Sequence, residues 1–144
     1  MLTLNKLYLA RILAIDYGLK RTGLAVTDPL QIIATGLTTV DSKELINYLK
    51  KYFMQEQVEL IIIGEPKNLD DTDTHATPLV ANCIKQLQKN FPNLPVQTVD
   101  ERYTSKMAKD AMLEMGLKKN QRRNKALVDE IAATIMLQEY MNNR

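Results

Sequence analysis

The chain has 144 residues, of which 45% are apolar and 25% charged, and its formal net charge at pH 7 is +2. These values are ordinary for a water-soluble globular protein, and the length suits one core, so we predict a single domain over residues 1–144. Because the net charge is small, the distribution of the basic residues, and not their total, has to indicate a polyanionic partner.

Two residue types and the hydropathy pattern narrow the possible classes of protein further. The single cysteine, Cys83, excludes an internal disulfide framework, and its apolar helical neighbours predict a buried thiol. The single histidine, His75, lies in a polar stretch and is predicted to be a loop residue. The first eight residues are too short and too interrupted for a signal sequence, and no apolar run approaches membrane-spanning length. We therefore expect a cytoplasmic protein without a membrane partner.

Three strand patterns open the chain, at residues 9–16, 21–27 and 31–40. The segments between them are short enough for consecutive antiparallel pairing. A helix is then predicted to begin near Asp41 or Ser42, either of which could be its N-cap. Its buried face is predicted to hold Leu45, Ile46, Leu49 and Phe53.

The strongest strand pattern is the continuous apolar run from Val58 to Gly64, which predicts a strand covered on both faces, as in a parallel sheet. A helix is predicted from about Pro78 to Asn90, and a fifth strand from Pro95 to Val99. Two helices, at about 105–115 and 127–141, complete the order βββαβαβαα. This order predicts an α/β protein with a five-stranded mixed sheet and helices on both faces.

Acidic residues stand at the ends of two predicted strands. Asp16 closes the first strand, and Glu101 follows the fifth. In sheets of this kind, ligands bind beyond the carboxyl ends of the strands, so these acids are expected to share a site. As an alternative, Asp16 could cap the following turn through its own side chain.

A third acid, Asp129, lies in the last predicted helix, and Ala132 and Ala133 follow on the same helix face. Such small residues would let the helix approach the sheet closely, whereas Glu130 is expected to point into solvent. As an alternative, Asp129 could only stabilise the positive end of the helix dipole.

Three converging carboxylates at positions 16, 101 and 129 would repel one another without cations. Hard oxygen ligands suit Mg²⁺ or Mn²⁺, and two such ions can activate a water and stabilise the leaving oxygen in phosphate hydrolysis. A two-ion site is therefore expected.

Four short motifs occur in a fixed order: Asp16-Tyr17-Gly18-x-Lys20-Arg21-x-Gly23-x-Ala25, Gly64-x-Pro66, Asp100-Glu101-Arg102 and Val128-Asp129-x-x-Ala132-Ala133. Together they resemble the YqgF-type family, described as pre-16S ribosomal RNA nucleases and Holliday-junction-resolvase-like proteins, over about residues 11–140. The resemblance implies a ribonuclease-H-like fold and a metal-dependent nuclease whose acidic triad is Asp16, Glu101 and Asp129. One departure is Asp71, which stands where the family usually has a glycine.

The segment from Lys118 to Lys125 carries five positive charges and no acid, directly before the helix with Asp129. We expect phosphate contacts here, although a charged segment can also be a solvated connection. Arg102 could bind phosphate or could orient Glu101. The predicted nucleic-acid-binding residues are Lys20, Arg21, Arg102, Lys118, Lys119, Arg122, Arg123 and Lys125.

The leading functional prediction is a nuclease acting on structured RNA, in the processing of pre-16S rRNA during ribosome biogenesis, as a monomer or a homodimer. A DNA junction resolvase would share the chemistry but would need a stable dimer. A non-catalytic nucleic-acid-binding factor in ribosome assembly or transcription would explain the basic segment equally well, but it would gain nothing from clustered acids. Actin-like ATPases share the acid-glycine turn but need a much longer chain.

Overall fold

The computed structural model describes residues 9–65, 77–100, 104–122 and 124–144. The strands are β1 (Arg11–Tyr17), β2 (Arg21–Thr27), β3 (Ala34–Asp41), β4 (Val58–Glu65) and β5 (Val96–Asp100). The helices are α1 (Leu45–Gln55), which follows a 3-10 turn at Ser42–Glu44, α2 (Thr77–Asn90), α3 (Thr104–Glu114), α4 (Lys119–Arg122) and α5 (Lys125–Asn143). None of the helices in these ranges is long and apolar enough to cross a bilayer.

The five strands form one sheet in the order β3-β2-β1-β4-β5. The neighbouring pairs β1/β2 and β2/β3 are antiparallel, whereas β1/β4 and β4/β5 are parallel. The carboxyl ends of β1, β4 and β5 therefore meet at one edge of the sheet. The predicted α/β architecture, with a five-stranded mixed sheet, is confirmed.

The side chains of each strand alternate between two separate cores. Leu13 and Ile15 of β1 pack with α1 and α2, where most of the large buried aliphatic side chains lie. Ile12 and Ala14 of the same strand pack against α5. Helices on both faces were predicted, and both faces are covered. The inner strand β4 is buried on both faces, since the side chains of Ile61, Ile62 and Ile63 are all inaccessible to solvent.

Strand β3 begins later than predicted, because the turn before it is closed by one side chain. The carboxylate of Asp28 accepts N–H groups of Leu30 at 3.1 Å and of Ile32 and Ile33 at 2.7 Å each. These bonds, first of all the one from Ile33, lower the pKa of Asp28. Gln31 adopts a φ of 57° within the turn. Residues 31–33 are thus a turn and not the start of a strand.

Of the two predicted caps, Asp41 is the N-cap of the 3-10 turn but makes no side-chain capping bond, and the N-cap of α1 itself is Glu44. Ser42 is not a cap, and its hydroxyl bonds outside the helix. It donates to the carbonyl of Gly18 at 2.6 Å and lies 2.8 Å from the hydroxyl of Thr22. Ser42 therefore ties α1 to the turn between β1 and β2.

The basic segment is also more ordered than a simple connection, since it contains the short helix α4, which was not predicted. Helix α5 then begins two residues earlier than predicted, at Lys125. Its N-cap is Asn124, whose side chain accepts the N–H of Leu127 at 3.2 Å.

Candidate active site

Asp16 lies at the carboxyl end of β1, on the face of the sheet that α5 covers. Ile12 and Ala14 belong to the core on that face, and alternation places Asp16 next in the same row. Across β2, Asp16 pairs with Gly23. On the other side Ile15 pairs with Ile63, which brings Gly64 level with Asp16. The half-buried carboxylate is thus flanked by glycines on both neighbouring strands.

Helix α5 lies directly on β2 at the partner of Asp16. A Cβ atom at Gly23 would overlap the carbonyl group of Asp129 and would lie 3.0 Å from the backbone nitrogen of Glu130. Real side chains do not tolerate such distances, so only glycine permits this approach. The structure therefore places the backbone of Asp129 over the strand position that pairs with Asp16.

Asp129 is half-buried and forms an ion pair with Arg21. Arg21 at the start of β2 donates from Nε to Oδ2 of Asp129 at 3.1 Å. Burial raises the pKa of Asp129, and the hydrogen bond from Arg21 and the charges of Arg21 and Lys125 act in the opposite direction. Asp129 lies beyond the first turn of α5, so stabilisation of the helix dipole does not explain its position.

The neighbouring acid Glu130 was expected to point into solvent, and this expectation is wrong. Its side chain is half-buried over β3, where a Cβ atom at Gly36 would come within 2.8 Å of Cγ of Glu130. The start of the helix is further anchored by Thr39, whose hydroxyl donates to the carbonyl of Ala126 at 2.6 Å. Ala132 and Ala133 are buried, as the close approach requires.

The contacts of α5 with Gly23 and Gly36 were not predicted from the sequence. The motif that carried the family resemblance contains Gly23, but the helix was expected to come close only because of its own alanines. Glycines inside strands are a signal for close backbone approach, and both Gly23 and Gly36 lie within strands. That signal was present in the sequence.

The predicted basic residues are spread over two described regions. Lys20 is exposed on the turn that Ser42 holds, and its carbonyl accepts the N–H of Ser42 at 2.9 Å. Lys118, Lys119 and Lys125 are exposed around α4 and the start of α5. Outside the described part of the chain lie Glu101, Arg102, Arg123, the side chain of Arg122, and the segment with Asp71 and His75.

The described donors have the chemistry of a divalent-metal site, although they are not a complete one. In the described ranges, no group of three or more Asp, Glu, His or Cys side chains is close enough to hold a metal ion. Asp16 and Asp129 supply carboxylate oxygens, which are the ligands that Mg²⁺ and Mn²⁺ prefer. The sulfur of Cys83 takes no part, because it is buried in α2 and its pKa is raised to about 12 by burial.

The sheet order, with acids at its carboxyl edge beneath a covering helix, defines a protein of the ribonuclease-H-like class. Structural comparison agrees. RuvC of T. thermophilus in complex with Holliday junction substrate has a TM-score of 0.55 at 16% identity, covering 94% of this chain and 95% of that one. A second Thermus thermophilus RuvC structure has a TM-score of 0.51 at 14% identity, covering 92% and 96%. At such identities the likeness concerns the fold alone.

The chain belongs to the family described as "RuvX: Holliday junction resolvase", which matches residues 10–143. Relatives named "Putative pre-16S rRNA nuclease" are similar over nearly their whole length. The one from Christiangramia forsetii is 55% identical, covering 92% of this chain and 98% of the relative. Those from Flavobacterium psychrophilum and Porphyromonas gingivalis are 53% and 47% identical, covering 93% and 94% of this chain and 98% of each relative. The resemblance inferred from the motifs is confirmed.

Proposed function

We propose that this chain is a divalent-metal-dependent nuclease that hydrolyses phosphodiester bonds in structured RNA, during processing of pre-16S rRNA in the cytoplasm. The observation that carries the proposal is the contact at Gly23, which brings Asp129 onto the strand position opposite Asp16. Two half-buried carboxylates that approach each other there would favour bound cations. The names of the relatives supply the substrate class. In this proposal residues 1–144 form a single nuclease domain.

We keep Glu101 as the third acid because the family resemblance implies it and because β5 excludes its neighbour Asp100. Val96 packs with the core under α1 and α2, whereas Val99 packs with the core under α5. Alternation then places Asp100, the last residue of β5, on the face away from α5. Asp100 is therefore not expected to join Asp16 and Asp129.

Asp16, Glu101 and Asp129 would hold two Mg²⁺ or Mn²⁺ ions. When bound, such ions supply an activated water and stabilise the leaving oxygen of the phosphodiester. The protein contributes rigidity, because Asp16 lies on a central strand and Asp129 on a helix that glycine contacts press onto the sheet. Ligands on such elements keep their positions better than ligands on loops.

Basic side chains on both sides of these acids would hold the nucleic acid. The exposed Lys118, Lys119 and Lys125 lie just before Asp129 in the chain, and Lys20 lies on the turn beyond Asp16. Contacts to phosphate supply most of the affinity that does not depend on sequence. The assigned set is Lys20, Arg21, Arg102, Lys118, Lys119, Arg122, Arg123 and Lys125.

The test is cleavage of precursor 16S rRNA by the purified chain with Mg²⁺, with Mn²⁺ and with excess chelator. Asp16→Asn is expected to lower the cleavage rate by about 10³-fold or more, because a metal ligand is lost while the fold stays intact. Asp110→Asn is the matched control, since it removes the same charge from an exposed position of α3. Full activity of Asp16→Asn, or of the wild type in chelator, would contradict the proposal.

A second candidate is resolution of DNA junctions, which the description of the family favours. Cleavage of a four-way junction needs two sites in a symmetric dimer. Parallel assays on precursor rRNA and a four-way DNA junction, with the molecular mass in solution, separate the two substrates. If a variant lacking all three acids restores function in cells, the chain is instead a non-catalytic binding factor.

A further inference from the structure

The ion pair between Arg21 and Asp129 connects a residue proposed to bind phosphate with a residue proposed to bind a metal ion. Arg21 belongs to a basic pair suited to phosphate, and Asp129 belongs to the acids suited to a cation. The two side chains are 37% and 26% exposed, so both are open to exchange with solvent and ligand. To bind phosphate, Arg21 would have to leave Asp129. To bind a divalent ion, Asp129 would have to share its charge between the ion and Arg21.

The geometry of the pair leaves the guanidinium capable of a second role. In the described part of the chain it donates to Asp129 through Nε alone, at 3.1 Å. A guanidinium also has donors on its two terminal nitrogens, in a planar fork that matches phosphate oxygens. Arg21 is at the first position of β2, where its side chain shares the α5 face with Gly23 and Ala25.

Charge makes the pair unfavourable once a divalent ion shares Asp129. A guanidinium a few ångströms from a doubly charged cation repels it, and one carboxylate cannot neutralise both. A phosphate group carries the negative charge that Arg21 would need in exchange. Binding of metal and binding of RNA should therefore favour each other through this side chain.

We propose, on the basis of the function proposed above, that Arg21 is an exchange residue. In the free protein it pairs with Asp129 and weakens the binding of the divalent ion. When RNA binds, the guanidinium turns to a backbone phosphate and leaves Asp129 to the ion. Arg21 thus couples the affinity for metal to the presence of substrate, and the coupling is reciprocal.

The test measures Mn²⁺ affinity of the full chain by electron paramagnetic resonance, without RNA and with a short single-stranded RNA whose integrity is checked on a gel. Arg21→Gln is expected to bind Mn²⁺ about tenfold more tightly than the wild type without RNA, because a nearby positive charge is gone. RNA should tighten Mn²⁺ binding about fivefold in the wild type and leave it unchanged in Arg21→Gln.

Two further variants separate the exchange from general effects of charge. Lys43→Gln removes the same charge from an exposed position of the 3-10 turn, where no ion pair forms among the described residues, and its Mn²⁺ affinity without RNA should stay within about twofold of the wild type. Arg21→Lys keeps the charge and should keep the weak Mn²⁺ binding. Circular dichroism checks that all variants are folded.

The outcomes separate a failure of the proposed metal site from a failure of the proposed exchange. If Asp16→Asn binds Mn²⁺ as the wild type does, no ion is held at these acids, and both the metal-dependent function and the exchange are wrong. If Asp16→Asn loses Mn²⁺ but Arg21→Gln binds it equally or more weakly than the wild type, the metal site stands and only the exchange is overturned. In that case Arg21 positions Asp129.

Discussion

The two faces of the sheet are built from different side chains. The face under α1 and α2 is filled by large aliphatic residues such as Leu13, Ile15 and Leu49, all fully buried. The face under α5 also buries Ile12, Ile62 and Leu137, but Ala14, Ala25 and Ala133 lie among them, and the glycines of β2 and β3 lie beneath the start of the helix. The first face is filled by large apolar side chains, whereas the second brings the backbones of helix and strand together at one end.

The face under α1 and α2 therefore mainly provides stability, whereas the face under α5 positions the acidic residues. Each large side chain buried under α1 and α2 contributes roughly 1.5–3 kcal/mol to the free energy of unfolding. Small residues under α5 contribute less, but they let a helix bring a carboxylate onto the sheet. We therefore expect substitutions on the α5 face to change activity first and those on the opposite face to change stability first.

Among substitutions of packing residues on the two faces, the largest effect is expected for Gly23→Ala, because the added methyl group would overlap the backbone of Asp129. The helix must shift, and a displacement of about 1 Å at a catalytic group can lower kcat/KM about 100-fold. The free energy of unfolding should fall by about 1–3 kcal/mol. Rates of precursor rRNA cleavage and urea unfolding measure the two effects.

Gly36→Ala is the matched control, because its methyl group would meet the side chain of Glu130 and not a backbone. That side chain can rotate away, so activity should stay within about threefold of the wild type. Equal losses in the two variants would mean that any added methyl group on this face is harmful. Near-normal activity of Gly23→Ala would show that the helix position is not critical.

On the opposite face, Leu49→Ala is expected to lower the free energy of unfolding by roughly 2–5 kcal/mol, through lost burial and the cavity that remains. Cleavage measured well below the unfolding temperature should stay near the wild-type rate, because α1 does not carry the acids. A loss of activity in the fully folded variant would break the proposed division between the two faces.

The smallest effect concerns Cys83, whose thiol is buried on the α1 and α2 face with a pKa raised to about 12. Its raised pKa stabilises the folded state fully below the ordinary pKa of 9.0, and this stabilisation is lost as the pH rises towards 12. Between pH 8 and 10, the wild type should therefore lose stability relative to Cys83→Ala by on the order of 1 kcal/mol. Urea unfolding at both pH values measures it, and a constant difference would contradict burial of the neutral thiol.

Elements with a strong local pattern were predicted closely. Strand β2 has the predicted bounds, Arg21–Thr27, and β4 is the buried parallel strand that its apolar run indicated. Elements whose ends depend on a distant or unusual partner were predicted less well. The late start of β3 results from the Asp28 turn, and Ser42, which was predicted as a possible cap, donates its hydroxyl to Gly18 instead.

In the candidate site, the acidic residues were predicted from local signals, whereas their contact partners were not. The acids at 16 and 129 could be selected because charges at the end of a buried strand and inside an apolar helix are unusual. The partner of Asp129 could not be inferred, since Arg21 lies 108 residues away and was expected to face phosphate alone. The position of Glu130 over Gly36 was likewise not foreseen.

The sequence by itself determined the order of the strands and longer helices, the two-sided burial of the inner strands and the family, because apolar periodicity and short motifs are local properties. Only the tertiary structure decided that β2 and α5 meet backbone to backbone at Gly23. That contact depends on the sheet order and on the path of the last helix, which arise when the whole chain packs. The pairing of Arg21 with Asp129, and with it the balance of charge at the site, follows from that contact.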